Sequence, residues 1–489
     1  MDRPLSRWWC MAGWLASSVV FITFVQLLDG PSDGDATESA PSTWAIAHGQ
    51  LVCAFPKKEV LAAPLYSYVS GGIAALTRIG HGVPFPSAAA LGPNCSKAFN
   101  AVWLWGWQSN AISATLRIGY LGWIVLLAGV VALLRAAGRG RCGWEPATLF
   151  VLACLPPIWM SLENFFHPQD LLAMGLALGA LACVLRDKWL AAGVLIALGL
   201  LTQQFTLLVA APLLVVAPST RRWTFVGAAA ATTALALLLF FVSAGSGAVR
   251  TALIGTGNQS GVGGTWLAAL HLSSGATGFI SRVVPLELSL VLAWSVAKRL
   301  GRSVLEQVPL LSVVALSLSF RLVFEQNLLG YYFMALAVML VLLDVLQRRI
   351  RAALVVWLAA VSLVFFVAPG TAFLAFPVYW TTQRQIAAPI FLAVILVALG
   401  LHVLRHGPRR TDLLWVALVG VALLAWPATH NPLSRHVAPG WWQVLFVSTG
   451  IALAATPLVG ELRRHGSLTA HTAESTQPSI DAEPNRLAQ

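Results

Sequence analysis

What the chain lacks first is charge. Only 10% of its 489 residues are Asp, Glu, Lys or Arg, against 58% hydrophobic residues and a mean hydropathy of +0.76. An ordinary soluble domain carries about 25% charged and about 45–50% apolar residues. The shortage excludes a soluble enzyme and a disordered chain. Cysteine is scarce too, six in all, which excludes a small disulfide scaffold. Lysine is limited to Lys57, Lys58, Lys97, Lys188 and Lys298. The other basic residues are arginine, which with abundant alanine is the composition of a GC-rich bacterial genome. No P-loop occurs, so nucleotide hydrolysis does not drive the protein. Gly255-Thr-Gly257-Asn-Gln-Ser-Gly261 misses the dinucleotide-binding spacing by one residue and follows no soluble strand, so it reads as a flexible loop. No exact internal repeat is visible, which counts against a repeat-built transporter. No metal-ligand set stands out, and metal-independent chemistry without a cofactor is expected.

What is abundant is apolar sequence. A membrane-crossing helix needs about 20 apolar residues, so the chain has room for roughly a dozen. The expected fold is an all-α polytopic transmembrane bundle of about 12 spans plus a broken-helix hairpin. The 31 basic residues outnumber the 19 acidic ones, for a net charge of +12. That excess lies in short clusters between apolar runs, which marks membrane orientation rather than a nucleic-acid surface. Spans are expected at Cys10–Leu28, Leu116–Leu134, Pro146–Leu162, Leu171–Leu185, Phe225–Val242 and Val283–Val296. Six more are expected at Leu305–Phe320, Tyr331–Leu346, Ala352–Val367, Ile386–Leu404, Leu413–Trp426 and Gln443–Val459. Trp189–Val216 has basic residues at both ends and is interrupted by Thr202-Gln203-Gln204. Two half-helices forming a hairpin satisfy the charge rule, with the glutamines near the turn. Ala62–Ile79 is broken by Pro64 and Gly71-Gly72 and reads as an interfacial helix.

This arrangement divides the chain into five parts. Residues 1–28 are a cytoplasmic N-terminus and a retained first helix, since no convincing cleavage pattern follows the apolar segment. Residues 29–114 form a long outer loop, and 115–345 a transmembrane core. Residues 346–461 are C-terminal helices, and 462–489 include a polar, disordered cytoplasmic tail. Both termini face the cytoplasm of a bacterial plasma membrane, and each strong basic cluster between spans falls on that side.

Four polar groups on the outer side are not explained by topology. The first is Asp29, Asp33, Asp35 and Glu38 after the first span. A carboxylate at the membrane boundary can be a solvated loop residue or a general base acting on a sugar hydroxyl. The second is Glu163-Asn-Phe-Phe-His167-Pro168-Gln169-Asp170. It is either a turn capped by Asp170 or a site for phosphate, sugar or metal, because ionisable groups near bilayer depth are costly. The third is Arg321 with Glu325, followed by Tyr331 and Tyr332. An internal Arg321–Glu325 pair is one reading. The other has Arg321 gripping an anionic phosphate by a fork of hydrogen bonds beside the tyrosines. The fourth is Gln203 and Gln204 at the hairpin turn, bonding either backbone or a sugar. Cys53 and Cys95 share one polar loop, unlike the other cysteines, which sit mostly in apolar runs.

Together these residues resemble a family. A cytoplasmic N-terminus, one span and a long outer loop opening with Asp is the layout of the GT-C superfamily of integral-membrane glycosyltransferases. The stretch Asp35…Trp44-Ala-Ile-Ala-His-Gly49…Cys53-Ala-Phe-Pro56…Pro64-Leu-Tyr66 is similar to the family's opening pattern. His167-Pro-Gln169-Asp170 and the later Gly193…Gly199…Gln203-Gln204-Phe resemble a region of glycosyltransferase family 87. That family includes polyprenol-phosphate-mannose-dependent mannosyltransferases. Its Gly-Gln stands here as Pro168-Gln169, and its Lys as Gln204. The resemblance covers most of the first 345 residues.

The resemblance implies sugar transfer, with inversion, from a polyprenyl-phosphate donor to a glycolipid or polysaccharide acceptor of the cell envelope on the outer face. Asp35, or Asp33 two residues away, would be the base. Arg321, with His167, would stabilise the phosphate charge, and Tyr331 and Tyr332 would position sugar or lipid phosphate. Gln169, Asp170, Gln204 and Glu325 would complete the donor site, and Cys53 and Cys95 would pair to staple the outer loop. Two other readings compete with it. A lipid-linked sugar transporter or flippase predicts midplane charges and matched halves, and a non-catalytic membrane scaffold predicts a carboxylate pointing away from any cavity.

Overall fold

The computed structural model describes residues 4–27, 35–55, 64–77, 111–163, 166–249, 267, 270, 272–325, 330–367 and 440–475. Among them every regular element is a helix, and one isolated β-bridge joins Pro4 to Cys142. The helices are α1 (Arg7–Leu27), α2 (Asp35–Ala47), α3 (Pro64–Thr77), α4 (Ala111–Ala136), α5 (Trp144–Cys154), α6 (Pro156–Glu163), α7 (Pro168–Val184) and α8 (Trp189–Leu200). They continue with α9 (Leu207–Val216), α10 (Ser219–Ala244), α11 (Ser274–Leu300), α12 (Gln307–Val323), α13 (Met334–Leu346), α14 (Ala352–Val367) and α15 (Gly440–Ser475). Among the described residues, four helical stretches are long and apolar enough to cross a membrane: Arg7–Gln26, Ala114–Ala136, Ser219–Ala244 and Gly275–Leu305. A fifth arises if the bent pair α5–α6 is one span. The expected spans at Ile386–Leu404 and Leu413–Trp426 lie outside the described residues.

Burial divides the helices into two classes. Every residue of α13 is buried, as is most of α7 and α12. A helix that is apolar on all sides belongs in an interior. By contrast α1, α10 and α11 hold large apolar residues outward, including Trp8, Leu15, Leu238, Val242, Phe279 and Trp294. A bilayer would cover such surfaces.

Two interruptions shape the bundle. The stretch expected as one span at Pro146–Leu162 is bent by 61° between α5 and α6. Leu155 is extended there (φ −79°, ψ 119°), because Pro156 disfavours a helical residue before it. The expected broken helix at Trp189–Val216 is present as α8, a turn and α9. Its halves pack chiefly on other helices, α8 on α7 and α10, and α9 on α11 and α12. The polar tail expected from Gly466 also differs, since α15 runs on to Ser475. No proline interrupts that stretch before Pro478, and a Glu461–Arg464 pair supports the turn that leads into it.

The closest approach in the core lies between α4 and α7. A Cβ on Gly129 would sit 2.2 Å from the Gly175 carbonyl oxygen, and one on Gly122 would sit 2.5 Å from that of Pro168. Backbone meets backbone here, which only glycine permits. This fixes the start of α7 against α4.

Basic clusters gather at one end of the bundle. The Arg139 guanidinium donates to the Leu346 carbonyl at 3.0 Å, and Gln307 donates to Ala137 at 3.2 Å. A cavity of about 380 Å³ at this end is lined by Ala136, Leu185, Leu305–Pro309 and Glu461. The segments that follow α4, α7 and α13 thus meet at one end of the bundle.

Candidate functional site

The opposite end assembles three of the four polar groups. Construction begins at Phe166, whose φ of +45° is rare for a non-glycine residue. Its ring is fully buried and lies against Gly119 of α4. This reversal delivers His167 to the cap of α7 and Pro168 to its first turn, where the missing N–H costs nothing. Asp170 follows in the same turn, where the helix dipole favours a negative charge. Gln169 and Asp170 are almost wholly buried.

The break between α8 and α9 supplies the next element. Gln203 is extended (φ −160°, ψ 132°), and its side chain uses both ends of its amide. The carbonyl oxygen accepts from the Gln204 N–H at 3.1 Å, and the amide nitrogen donates to Oδ1 of Asp170. A carboxylate oxygen can only accept there, so the amide orientation is fixed from both sides. Phe205 follows and is buried.

Arg321 comes from the last turn of α12. Its Nε donates to Glu325 at 3.2 Å, four residues on. Its guanidinium lies 4.9 Å from the Tyr332 ring centre and 5.5 Å from that of Phe205. Aromatic faces hold a guanidinium by cation–π attraction without using its N–H donors. The terminal nitrogens Nη1 and Nη2 have no hydrogen-bond partner among the described residues. Asp170 acts on Arg321 and on Tyr332 electrostatically but forms no ion pair with Arg321.

Tyr331 and Tyr332 complete the wall. The Tyr331 ring stacks on His167 at 4.5 Å and meets Tyr332 edge-on at 4.6 Å. The Gln169 amide nitrogen lies 2.9 Å from Nδ1 of His167, and the Tyr331 hydroxyl lies 3.0 Å from Nε2. The other amide atom of Gln169, its carbonyl oxygen, is buried with no partner among the described residues. His167 thus links Gln169 to Tyr331.

The long loop is partly described. Asp35 is the first residue of α2, and Gly49 (φ +73°) closes that helix, with Gln50 N–H bonding back to Ala45. The spacing from Asp35 to Gly49 is therefore also the length of one capped helix. The side chain of Asp35, and Asp33 and Cys95 altogether, lie outside the described residues. Cys53 is disulfide-bonded, while Cys10, Cys142, Cys154 and Cys183 are free. The indole of Trp44 in α2 donates to Thr115 of α4 at 3.0 Å. On α3, Tyr68 hydrogen-bonds Ser243 at the end of α10 and stacks on Phe240. Burial pushes the Tyr68 hydroxyl above the usual phenol range, and the Ser243 bond opposes that shift. Tyr66 packs against Leu172 of α7, and burial raises its hydroxyl well above the same range.

The structure thus joins His167, Gln169, Asp170, Arg321, Glu325, Tyr331 and Tyr332. From the fourth polar group it takes Gln203, whose side chain reaches Asp170, and it adds Phe205, which the sequence reading did not name. The polar break in an apolar run was the available signal, but the choice between Gln203 and Gln204 needed the backbone turn. No family model matches the sequence, and no curated protein aligns with it at a significant level.

Proposed function

We propose that the protein is an integral-membrane glycosyltransferase of GT-C-like architecture with about 12 spans. On this reading it moves a sugar from a polyprenyl-phosphate donor to a glycolipid or cell-envelope acceptor, with inversion, at the outer face of a bacterial plasma membrane. The supporting observation is the state of Arg321. Its Nε is taken by Glu325, two rings flank it, and its terminal nitrogens have no partner among the described residues. A guanidinium in that state suits a phosphate diester, which accepts two parallel hydrogen bonds. Beside it the partly exposed Tyr332 offers a ring edge for a sugar, backed by the buried Tyr331, which stacks on His167. The phosphate leaves with the electron pair of the broken glycosidic bond, and Arg321 stabilises the charge as it grows. The clearest uncommitted polar groups share one end of the bundle, which favours chemistry at a face over transport through the midplane. Purified protein in micelles is expected to bind decaprenyl phosphate, and Arg321→Gln is expected to weaken that binding by more than about tenfold, or over 1.4 kcal/mol. Equal binding by the variant would remove the phosphate role.

A further inference from the structure

Three acids are buried among the described residues: Glu145, Asp170 and Asp344. Two of them are consumed by arginines. Glu145 accepts from Arg135, Trp14 and the Arg141 N–H, and Asp344 accepts from the side chain and N–H of Arg351. Asp170 differs, because the one hydrogen bond to its carboxylate among the described residues comes from the neutral amide of Gln203, on Oδ1. Its Oδ2 has no hydrogen-bond partner among the described residues. A buried carboxylate normally demands a cation or several donors. Here the cation, Arg321, forms no ion pair with it among the described residues. The two are linked through one turn: Gln203 holds Asp170, and Phe205, two residues on, lies with its ring centre 5.5 Å from the Arg321 guanidinium. A proton acceptor and a phosphate-holding fork on neighbouring side chains are what an inverting displacement needs on the two sides of the reacting carbon.

We infer that Asp170 takes the proton of the attacking hydroxyl, and that Gln203 is its positioning residue. The assignment rests on the glycosyl-transfer reading above. The acceptor oxygen bonds to the anomeric carbon as the bond from that carbon to the phosphate oxygen breaks. The electron pair of that bond leaves with the lipid phosphate, which Arg321 holds. The hydroxyl proton passes to Oδ2 of Asp170, while Gln203 keeps Oδ1 and so fixes the direction of the free oxygen. This gives Asp170 the role that the family resemblance gives to Asp35.

The test uses membranes containing the full chain, radiolabelled decaprenyl-phosphate mannose as donor and endogenous acceptors. Asp170→Asn keeps the volume and the bond from Gln203. It is expected to cut turnover by about 10²–10⁴-fold, the range for loss of a positioned acid or base, with decaprenyl phosphate binding intact. Gln203→Leu is expected to lower kcat while leaving the donor KM unchanged, a split that a merely loosened fold would not give. Asp35→Asn, run beside them, is expected to retain more activity than Asp170→Asn. Full turnover by Asp170→Asn, with Asp35→Asn inactive, overturns the assignment and leaves the glycosyl-transfer reading standing. If the wild type transfers no label, that reading falls and the assignment falls with it.

Discussion

Arginine is used in opposite ways at the two ends of the bundle. At the basic end, Arg351 gives Nε to Asp344 and Nη1 to the Leu453 carbonyl, so it ties α13, the residue before α14, and α15 together. Arg135 grips Glu145 through both Nε and Nη2, and Trp14 of α1 closes the same carboxylate. At the other end Arg321 makes one side-chain hydrogen bond among the described residues, through Nε, and its two terminal nitrogens make none there. The difference teaches how to tell a strut from a site. An arginine tied to a buried carboxylate that a second helix also engages, or tied itself to a second helix, holds helices together, whereas one whose two terminal nitrogens are both unbonded among the described residues is held by its own surroundings and waits for a ligand.

The strongest way to break this comparison is to remove one member from each end. Asp344→Ala strands the guanidinium of Arg351, which is 13% exposed. It is expected to destabilise the protein by about 3–5 kcal/mol, read as a lower thermal midpoint in detergent. Arg321→Ala is expected to change stability by about 1 kcal/mol or less, since its pair with Glu325 is partly exposed. Similar losses at both ends would erase the distinction.

A mid-sized effect is expected where packing positions the site. Gly122→Ala would push a methyl into the Pro168 carbonyl, destabilising by about 1–3 kcal/mol. Because that carbonyl lies in the first turn of α7, activity is expected to fall more than stability alone accounts for. An activity loss that merely tracks the folded fraction would show that the α4–α7 approach is structural only. The smallest effect concerns the loop. Tyr68→Phe removes the bond to Ser243 and is expected to cost about 0.5–1.5 kcal/mol, with little change in turnover. A large loss of turnover would place the α3 cap inside the reaction.

Much of this was legible in the sequence. The gathering of Arg135, Arg139, Arg186 and Arg348 at one end follows from charge alternation along a helical chain, because each apolar run reverses direction. The same alternation places His167, Gln203 and Arg321 at the other end. What alternation cannot supply is the partner of each side chain. Gln203 rather than Gln204 reaches Asp170 because the backbone is extended at 203, a detail of two dihedral angles. The bend at Leu155 carried a visible signal, Pro156-Pro157, but hydropathy averages over such breaks. Helix α2 was hidden by Pro41 and a run of Ser and Thr, residues that usually mark turns. Its burial against α3 and α4 outweighs that local preference.

The glycine meeting of α4 and α7 has a mechanical consequence. Where two backbones touch at two points, no side chain is left to bend, so the pair behaves as one stiff beam. His167, Gln169 and Asp170 ride on the end of that beam. Admitting a bulky ligand therefore falls to the opposite wall, built from the Gln203–Phe205 turn and the ends of α12 and α13.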